Sequence, residues 1–447
     1  CAALPEKRQG QVKPGECAVM KPFAVRGGYV VKGPKDVVRD QYVVVQGDTI
    51  REITPRLPEG ITEVLGGPAD IVMPGLINTH THAAMTLFRG YADDLPLMTW
   101  LQDYIFPAEA RFVDKEFVYL GTLLAAWEMT RSGTTAFCDG YFFEDQVGRA
   151  AKEVGIRAWL GEGILQFPSP SLQDPARTIE HSRKFIGRWL DDPLVRPTVF
   201  PHAVYTCSTE LLQQAYALAE EFDLVFQIHL SETAAEVEQI REKFGMTPVR
   251  LLESLGCLSG RTLAAHCVHL DDEEIALLAR TGVSVAHNAE SNMKLASGIA
   301  PVPAMIAAGV NVTVGTDGCA SNNNLDMISE LSTVAKLHKV STMDPTALDD
   351  CTALALATEN AARALKFMGG RIEPGRPADI ITLVGRAPNL VPIYNPVSHV
   401  VYAANGSNVR DVVINGRIVV KDFTSLTVDE EALVRECRKI RKRIAGD

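Results

Sequence analysis

No C-x-x-C pair occurs in this chain, although it holds nine cysteines, at positions 1, 17, 138, 207, 257, 267, 319, 351 and 437. An odd count without paired spacing excludes both a zinc-finger pattern and a disulfide framework. Most of these thiols are expected to be buried, acting as small apolar side chains. No apolar run approaches the ~20 residues that a membrane-crossing helix needs. No block of basic residues appears beyond Arg438, Lys439, Arg441, Lys442 and Arg443, and the formal net charge is −11. Those five cations belong to DEEALVRECRKIRKRI, an amphipathic helical pattern whose C-terminal end favours positive charge. The acidic balance elsewhere disfavours nucleic acid as a partner. No G-x-G-x-x-G follows the first strand, and no repeat of fixed period is visible.

What is present fits a globular protein: 46% hydrophobic and 22% charged residues in 447 positions, enough for one large domain and a smaller one. The sequence opens on Cys1 and a polar stretch. A cytoplasmic protein with a polar leader is the simpler expectation; an exported lipoprotein, lipidated at Cys1, is the alternative.

Patterning divides the chain into four parts. Residues 1–22 form the leader. Residues 23–70 read as short strands and turns, such as YVVKG and DQYVVVQGDTIREI, closed by the Gly/Pro-rich GGPAD. Over 71–371, strand-like runs alternate with amphipathic helical segments. The runs are IVMPGLINTHTH, TTAFCDGYF, RAWLGEGIL, RPTVFPHAVYT, LVFQIHLSE, TLAAHCVHL, GVSVAHNAE and NVTVGTDG. Eight strands alternating with helices predict an α/β protein with a TIM-type (β/α)8 barrel. An open doubly wound sheet also alternates, but the glycine fingerprint is missing. From 372 to 425 strand character returns, with Asn415-Gly416 as a two-residue hairpin turn. Segments 23–70 and 372–425 are expected to join in a small β-sandwich built from both chain ends. Residues 426–447 close the chain as a helix.

Barrel active sites lie at the C-terminal ends of the strands, and seven of the ten histidines gather there. Strand 1 ends in His80 and His82, which point to one face because side chains on a strand alternate. Strand 4 ends in His202. Strand 5 carries His229, followed by Glu232, and strand 6 carries His266 and His269. Strand 7 carries His287 and strand 8 ends in Asp317. A single buried histidine is usually a core residue with a satisfied hydrogen bond; a His-x-His pair at a strand end shifts the weight toward metal. Three imidazoles and one carboxylate suit one divalent ion, Zn first and Fe as the alternative, with a position left for water. His80, His82, His229 and Asp317 are the set that strands 1, 5 and 8 bring to one mouth. His287 reads equally as a group near the substrate and as a plain core histidine.

This pattern resembles the amidohydrolase superfamily. In its deaminase branch the strand 1 His-x-His, the strand 5 His and the strand 8 Asp hold a single catalytic metal. Binuclear members carry a carboxylated Lys on strand 4; RPTVFPHAVYT has no Lys, which argues for one metal. PGLINTHTHAAMTLFRG, AHCVHL, GTDGCASNNNLDM and IEPGRPADIITL are similar to the 5′-methylthioadenosine/S-adenosylhomocysteine deaminases, over nearly the whole chain. The resemblance implies roles. Glu232, in HLSE, is the proton shuttle; read alone, a Glu opening a helix is more simply a partner of the helix dipole. His266, rather than His269, hydrogen-bonds the developing oxyanion, and Asp317 also takes the water proton. Glu109, in WLQDYIFPAEARF, binds the ribose hydroxyls, and His202 contacts substrate. Trp100 is a candidate pocket wall, and equally an ordinary buried tryptophan of an amphipathic helix.

The implied activity is hydrolytic removal of the 6-amino group of an adenosine-type nucleoside, giving the inosine-type product and ammonia. Candidate substrates are 5′-methylthioadenosine, 5′-deoxyadenosine, adenosine and S-adenosylhomocysteine. Family members that accept the last place arginines near the third strand. Here WLGEGILQFPSPSLQDPAR offers Glu162 and no Arg before Arg177, which favours a neutral 5′ group. The main rival is deamination of another heterocycle (guanine, pterin, cytosine or an s-triazine) by the same metal set. Hydrolysis of a cyclic amide is opposed by the absent strand 4 Lys and by HLSE. A binding protein without catalysis is opposed by the complete ligand set. The zinc deaminases of nucleic acids use P-C-x-x-C, absent here. The partner expected is therefore a small nucleoside, and a homo-oligomer is compatible with the sequence.

Overall fold

A computed structural model describes residues 21–95 and 99–446. Residues 1–20 of the expected leader, Cys1 included, lie outside the described residues, as does Asp447. Four strands come first: β1 Phe23–Gly33, β2 Asp36–Gln46, β3 Thr49–Thr54 and β4 Val64–Pro74. The barrel strands follow: β5 Leu76–Thr81, β6 Thr134–Tyr141, β7 Arg157–Ile164, the short pieces β8 Val195–Pro197 and β9 Phe200–Pro201, then β10 Phe226–Leu230, β11 Thr262–His266, β12 Ser284–His287 and β13 Asn311–Val314. Four more complete the set: β14 Ile380–Leu383, β15 Val409–Ile414, β16 Arg417–Lys421 and β17 Thr424–Ser425.

The barrel is parallel and closed. Strands β5 to β8 pair in order, β9 pairs β7, and β10 to β13 pair in order. Parallel bridges at Val199–Phe226 and Ala203–His229 join the two halves on one side. On the other side the Asp317 amide donates to the His80 carbonyl at 3.0 Å, so strand 8 meets strand 1 and no edge stays open. Every position of β6, β7, β10, β11 and β12 is buried, which is why these strands read as apolar runs rather than as alternating ones. The helices between them start on local signals. Ser208 accepts from the Leu211 amide ahead of the helix Thr209–Glu221, and Asp271 with Glu274 forms a capping box ahead of Asp272–Thr281.

The strands of both chain ends share one eight-stranded sheet, in the order β17-β16-β15-β14-β4-β1-β2-β3. They meet where β14 runs antiparallel to β4. This sheet has a small core of its own, with Phe23, Val25, Val43, Val45, Ile380 and Val413 among its members. Asn415 and Gly416 have φ of 51° and 70°, so the hairpin between β15 and β16 is the turn with two left-handed residues that Asn-Gly suits. The run IVMPGLI, which reads as one strand, is two. Up to Pro74 it pairs with β14; from Leu76 it pairs with β6. Gly75 makes the step, where a Cβ would stand 2.1 Å from Thr135 Cγ2. A buried ion pair, Arg157 Nε to Asp379 Oδ2 at 2.7 Å, ties β7 to the approach of β14. The helix Glu430–Ala445 ends the described chain. Among the described residues the cysteines are all free, and no helix is long and apolar enough to cross a membrane.

Candidate active site

His80 and His82 stand at the end of β5, His229 lies in β10 and Asp317 follows β13. The fold brings all four together. His229 Nε2 lies 3.2 Å from His80 Nε2. Asp317 Oδ1 lies 3.6 Å from His80 Nε2 and 3.4 Å from His82 Nε2. Ligand atoms held at about 2.0–2.1 Å around a tetrahedral ion stand roughly 3.3 Å apart, so these separations fit a metal. The tautomers fit as well. His82 Nδ1 is 2.6 Å from the Gly140 carbonyl and His229 Nδ1 is 2.9 Å from the His202 carbonyl. A carbonyl only accepts, so the proton sits on Nδ1 and the Nε2 lone pair faces the cluster. Burial lowers the pKa of His80 to about 4 and that of His229 well below its usual value, so both rings are neutral. Neutral rings aiming lone pairs at one another are stable when a cation shares them. His80, His82 and His229 form one group of potential ligands within 4.8 Å, and His80, His266 and Asp317 form an overlapping one.

Asp317 is braced from three sides. The Ser291 and Ser321 hydroxyls donate to Oδ2 at 2.7 and 2.8 Å, and the Gly318 amide donates to Oδ1 at 2.8 Å. This matters because Asp317 has a left-handed backbone, φ 61°, as do His266 at 73° and Ser231 at 50°. Each such non-glycine residue costs on the order of 1–3 kcal/mol and persists only where its surroundings hold it.

Glu232 follows β10. The Ser231 and Glu232 amides donate to the Glu236 carboxylate at 3.0 and 2.7 Å, fixing the turn that presents Glu232. The Ser297 hydroxyl donates to Glu232 Oε1 at 3.3 Å. His266 Nε2 stands 3.8 Å from Glu232 Oε2, and His266 Nδ1 is 2.9 Å from Asn292 Oδ1. Burial works to lower the His266 pKa, but the charges of Glu232 and Asp317 outweigh it and hold it above its usual value. His269 turns aside and donates from Nε2 to the Ser297 carbonyl at 2.7 Å. His287 is a core histidine: it lies outside the cavity, with Nε2 3.1 Å from Nε2 of His338.

A cavity of about 340 Å³ opens on this cluster. His82, His229, His266, Glu232 and Asp317 line it, together with Trp100, Glu109 and His202. Glu109 is 8% exposed and accepts a hydrogen bond from the Tyr141 hydroxyl at 2.6 Å. Burial raises its pKa to about 7, against the opposing pull of Tyr141. Burial lowers His202 to about 3, and its Nδ1 is 3.1 Å from Thr206 Oγ1. Trp100 is both things at once, a buried side chain and a pocket wall. Glu162 does not face the cavity. It accepts from the Phe143 and Glu144 amides at 3.1 and 2.9 Å, ahead of the helix Glu144–Val154.

Sequence reasoning overlooks Tyr141, Glu236, Ser291, Asn292, Ser297 and Ser321. One signal was legible. The stretch HNAESNMKLAS after β12 is rich in small polar residues that a helix packing on the barrel does not need, and it supplies Ser291, Asn292 and Ser297. Tyr141 and Ser321 carry no such mark.

Comparison with known proteins agrees with this geometry. A profile of the Amidohydrolase family matches residues 71–419. A 5-methylthioadenosine/S-adenosylhomocysteine deaminase of Syntrophobacter fumaroxidans is 53% identical over 377 residues, covering 84% of this chain and 86% of its own. A 5′-deoxyadenosine deaminase of Methanothermobacter thermautotrophicus is 46% identical over 402 residues, covering 89% of this chain and 93% of its own. The solved structure of an adenosine deaminase from Xanthomonas campestris, with bound zinc, superposes with a TM-score of 0.93 at 39% identity, covering 95% of this chain and 99% of that one. The chain belongs to the amidohydrolase family.

Proposed function

We propose that this protein is a hydrolytic deaminase that converts the 6-amino group of an adenosine-type nucleoside to a 6-oxo group, releasing ammonia. The observation that carries the reading is the convergence of His82, His229, Asp317 and Glu232 on one cavity, with His80 packed against His229 and Asp317. The names of the relatives support the substrate class. The residues that would hold a metal are His80, His82, His229 and Asp317, and one zinc ion is the reading favoured by the neutral imidazoles and by the zinc in the related adenosine deaminase. When bound, such an ion makes water acidic enough to act as a nucleophile at neutral pH.

The chain's own side chains do the rest. Asp317 accepts one proton of the attacking water and passes it to the departing amine. Glu232 takes the other and delivers it to ring nitrogen N1, next to the attacked C6, so both water protons leave with the products; such acid–base work contributes roughly 10²–10⁴-fold. His266, anchored through Nδ1 by Asn292, directs Nε2 at the oxygen arriving on C6. Glu109 accepts from the two ribose hydroxyls, His202 contacts the nucleoside, and Trp100 walls it in. A pocket that hydrogen-bonds hydroxyls rejects analogues that lack them.

The test is ammonia release from a panel of amines by the metal-loaded protein, with metal content measured alongside. 5′-Methylthioadenosine, 5′-deoxyadenosine or adenosine should lead the panel. If guanine, cytosine, a pterin or an s-triazine is turned over faster than every nucleoside, the reading fails.

A further inference from the structure

We propose that the cavity selects nucleosides whose 5′ substituent is uncharged, and discriminates against the amino-acid tail of S-adenosylhomocysteine. The proposal deepens the nucleoside reading and rests on it.

Among the described residues, the side chains of the cavity offer an incoming carboxylate no lysine or arginine. Its ionisable carboxylates are Glu109, Glu232 and Asp317. Its imidazoles do not supply the missing cation. His82 and His229 belong to the proposed metal set, with Nδ1 of each held by a backbone carbonyl, His202 Nδ1 is 3.1 Å from Thr206 Oγ1, and His266 faces Glu232 at the far end. The basic residues next in sequence to lining positions are committed elsewhere. Lys294, beside Leu295, is bound to Asp93 at 2.6 Å. Arg111, beside Ala110, is exposed, with its guanidinium over the Phe112 ring at 4.9 Å. Arg177, the first arginine after β7, pairs with Glu180 at 3.1 Å on the surface.

The purine must sit at the inner end, where Glu232 and the histidines are, and Glu109 takes the ribose hydroxyls. The 5′ substituent is then left to the outer wall, which is apolar at Leu101, Phe106, Leu165, Phe167, Pro168 and Pro170 and carries one hydroxyl, on Ser169. A hydrogen, methyl or methylthio group needs nothing more than the van der Waals partners this wall supplies. A homocysteine tail brings a carboxylate and an ammonium; both lose water against a largely apolar wall, and the carboxylate finds no lysine or arginine there. Length is not the obstacle, because the cavity opens to solvent at Phe106 and Phe167, 39% and 41% exposed.

The experiment compares three nucleosides on the metal-loaded full chain: 5′-methylthioadenosine, 5′-n-butylthioadenosine and S-adenosylhomocysteine. The butylthio compound has the length of the homocysteine tail without its charges. The expected kcat/KM for S-adenosylhomocysteine is about 100-fold below that for the butylthio compound, from the water its charged groups lose along the wall without gaining a partner. A ratio of less than about tenfold overturns the proposal. Dissociation constants for the same three ligands, read by calorimetry, give the same ratio independently of turnover. Silence of all three in turnover would count against the deaminase reading, while equal affinities would count against the charge rule. Phe167→Arg places a cation at the exposed rim and should raise the S-adenosylhomocysteine to butylthio ratio by at least about tenfold; an unchanged ratio overturns the placement of the tail against Phe167.

Discussion

The Tyr141 hydroxyl donates a 2.6 Å hydrogen bond to Glu109 inside the cavity, while its ring lies 6.1 Å from that of His82. Burial has raised the Glu109 pKa to about 7, and the Tyr141 bond pulls the other way. A carboxylate that must accept from two ribose hydroxyls works best ionised. KM for nucleosides should therefore rise as the pH falls below about 7. Tyr141→Phe removes the bond that favours the ionised form, so its inflection should move to higher pH. A KM profile taken on both sides of neutrality, for wild type and variant, checks the sign.

Glu232→Gln keeps the size of the side chain and loses its ability to carry a proton. Metal content and nucleoside affinity should stay near wild type while kcat drops roughly 10²–10⁴-fold. Near-normal turnover would remove Glu232 from the chemistry.

Ser291 and Ser321 both donate to Asp317 Oδ2. Loss of groups that orient metal ligands typically costs about 10–100-fold in metal affinity or activity. Ser291→Ala and Ser321→Ala should each weaken metal retention, measured by chelator competition. The double variant should lose more than the product of the single losses if either serine alone holds the carboxylate, and less if both are needed to keep its left-handed backbone.

His229→Ala removes a lone pair facing His80 at 3.2 Å. The purified variant should contain less than one equivalent of metal. Chelation of the wild type should lower its thermal midpoint, since a ligand that binds only the folded state stabilises it by mass action. Full metal content in His229→Ala would overturn its place in the set.

Arg157 and Asp379 are buried together, at 8% and 4% side-chain exposure. Arg157 also donates to Asn415 Oδ1 at 2.7 Å. Asp379→Ala leaves the guanidinium without its partner, and such a loss costs about 3–5 kcal/mol. The denaturation midpoint should fall clearly, with the ratio of activities between two nucleosides unchanged.

Much of this molecule was legible in the order of its residues. The period of two along a strand puts His80 and His82 on one side, and barrel chemistry gathers at strand ends, so the histidines and Asp317 could be assembled on paper. Asn-Gly between two apolar runs announces its hairpin because few other pairs tolerate two left-handed residues. Other features only the tertiary structure decided. IVMPGLI carries no mark that Gly75 divides it between two sheets, since both halves are equally apolar and the step is forced by the close approach of Thr135. The left-handed backbone at His266 and Asp317 is unfavourable locally, and their side chains are held by Asn292 and Ser291, each 26 residues away in the chain. His266, His269 and His287 all lie at strand ends, and only the family resemblance prefers His266 over His269; the partners of the other two, the Ser297 carbonyl for His269 and His338 for His287, turn them from the cluster. Local rules of period, propensity and turn chemistry act within a few residues and can be read there, whereas hydrogen bonds between residues far apart in the chain exist only once the barrel has closed.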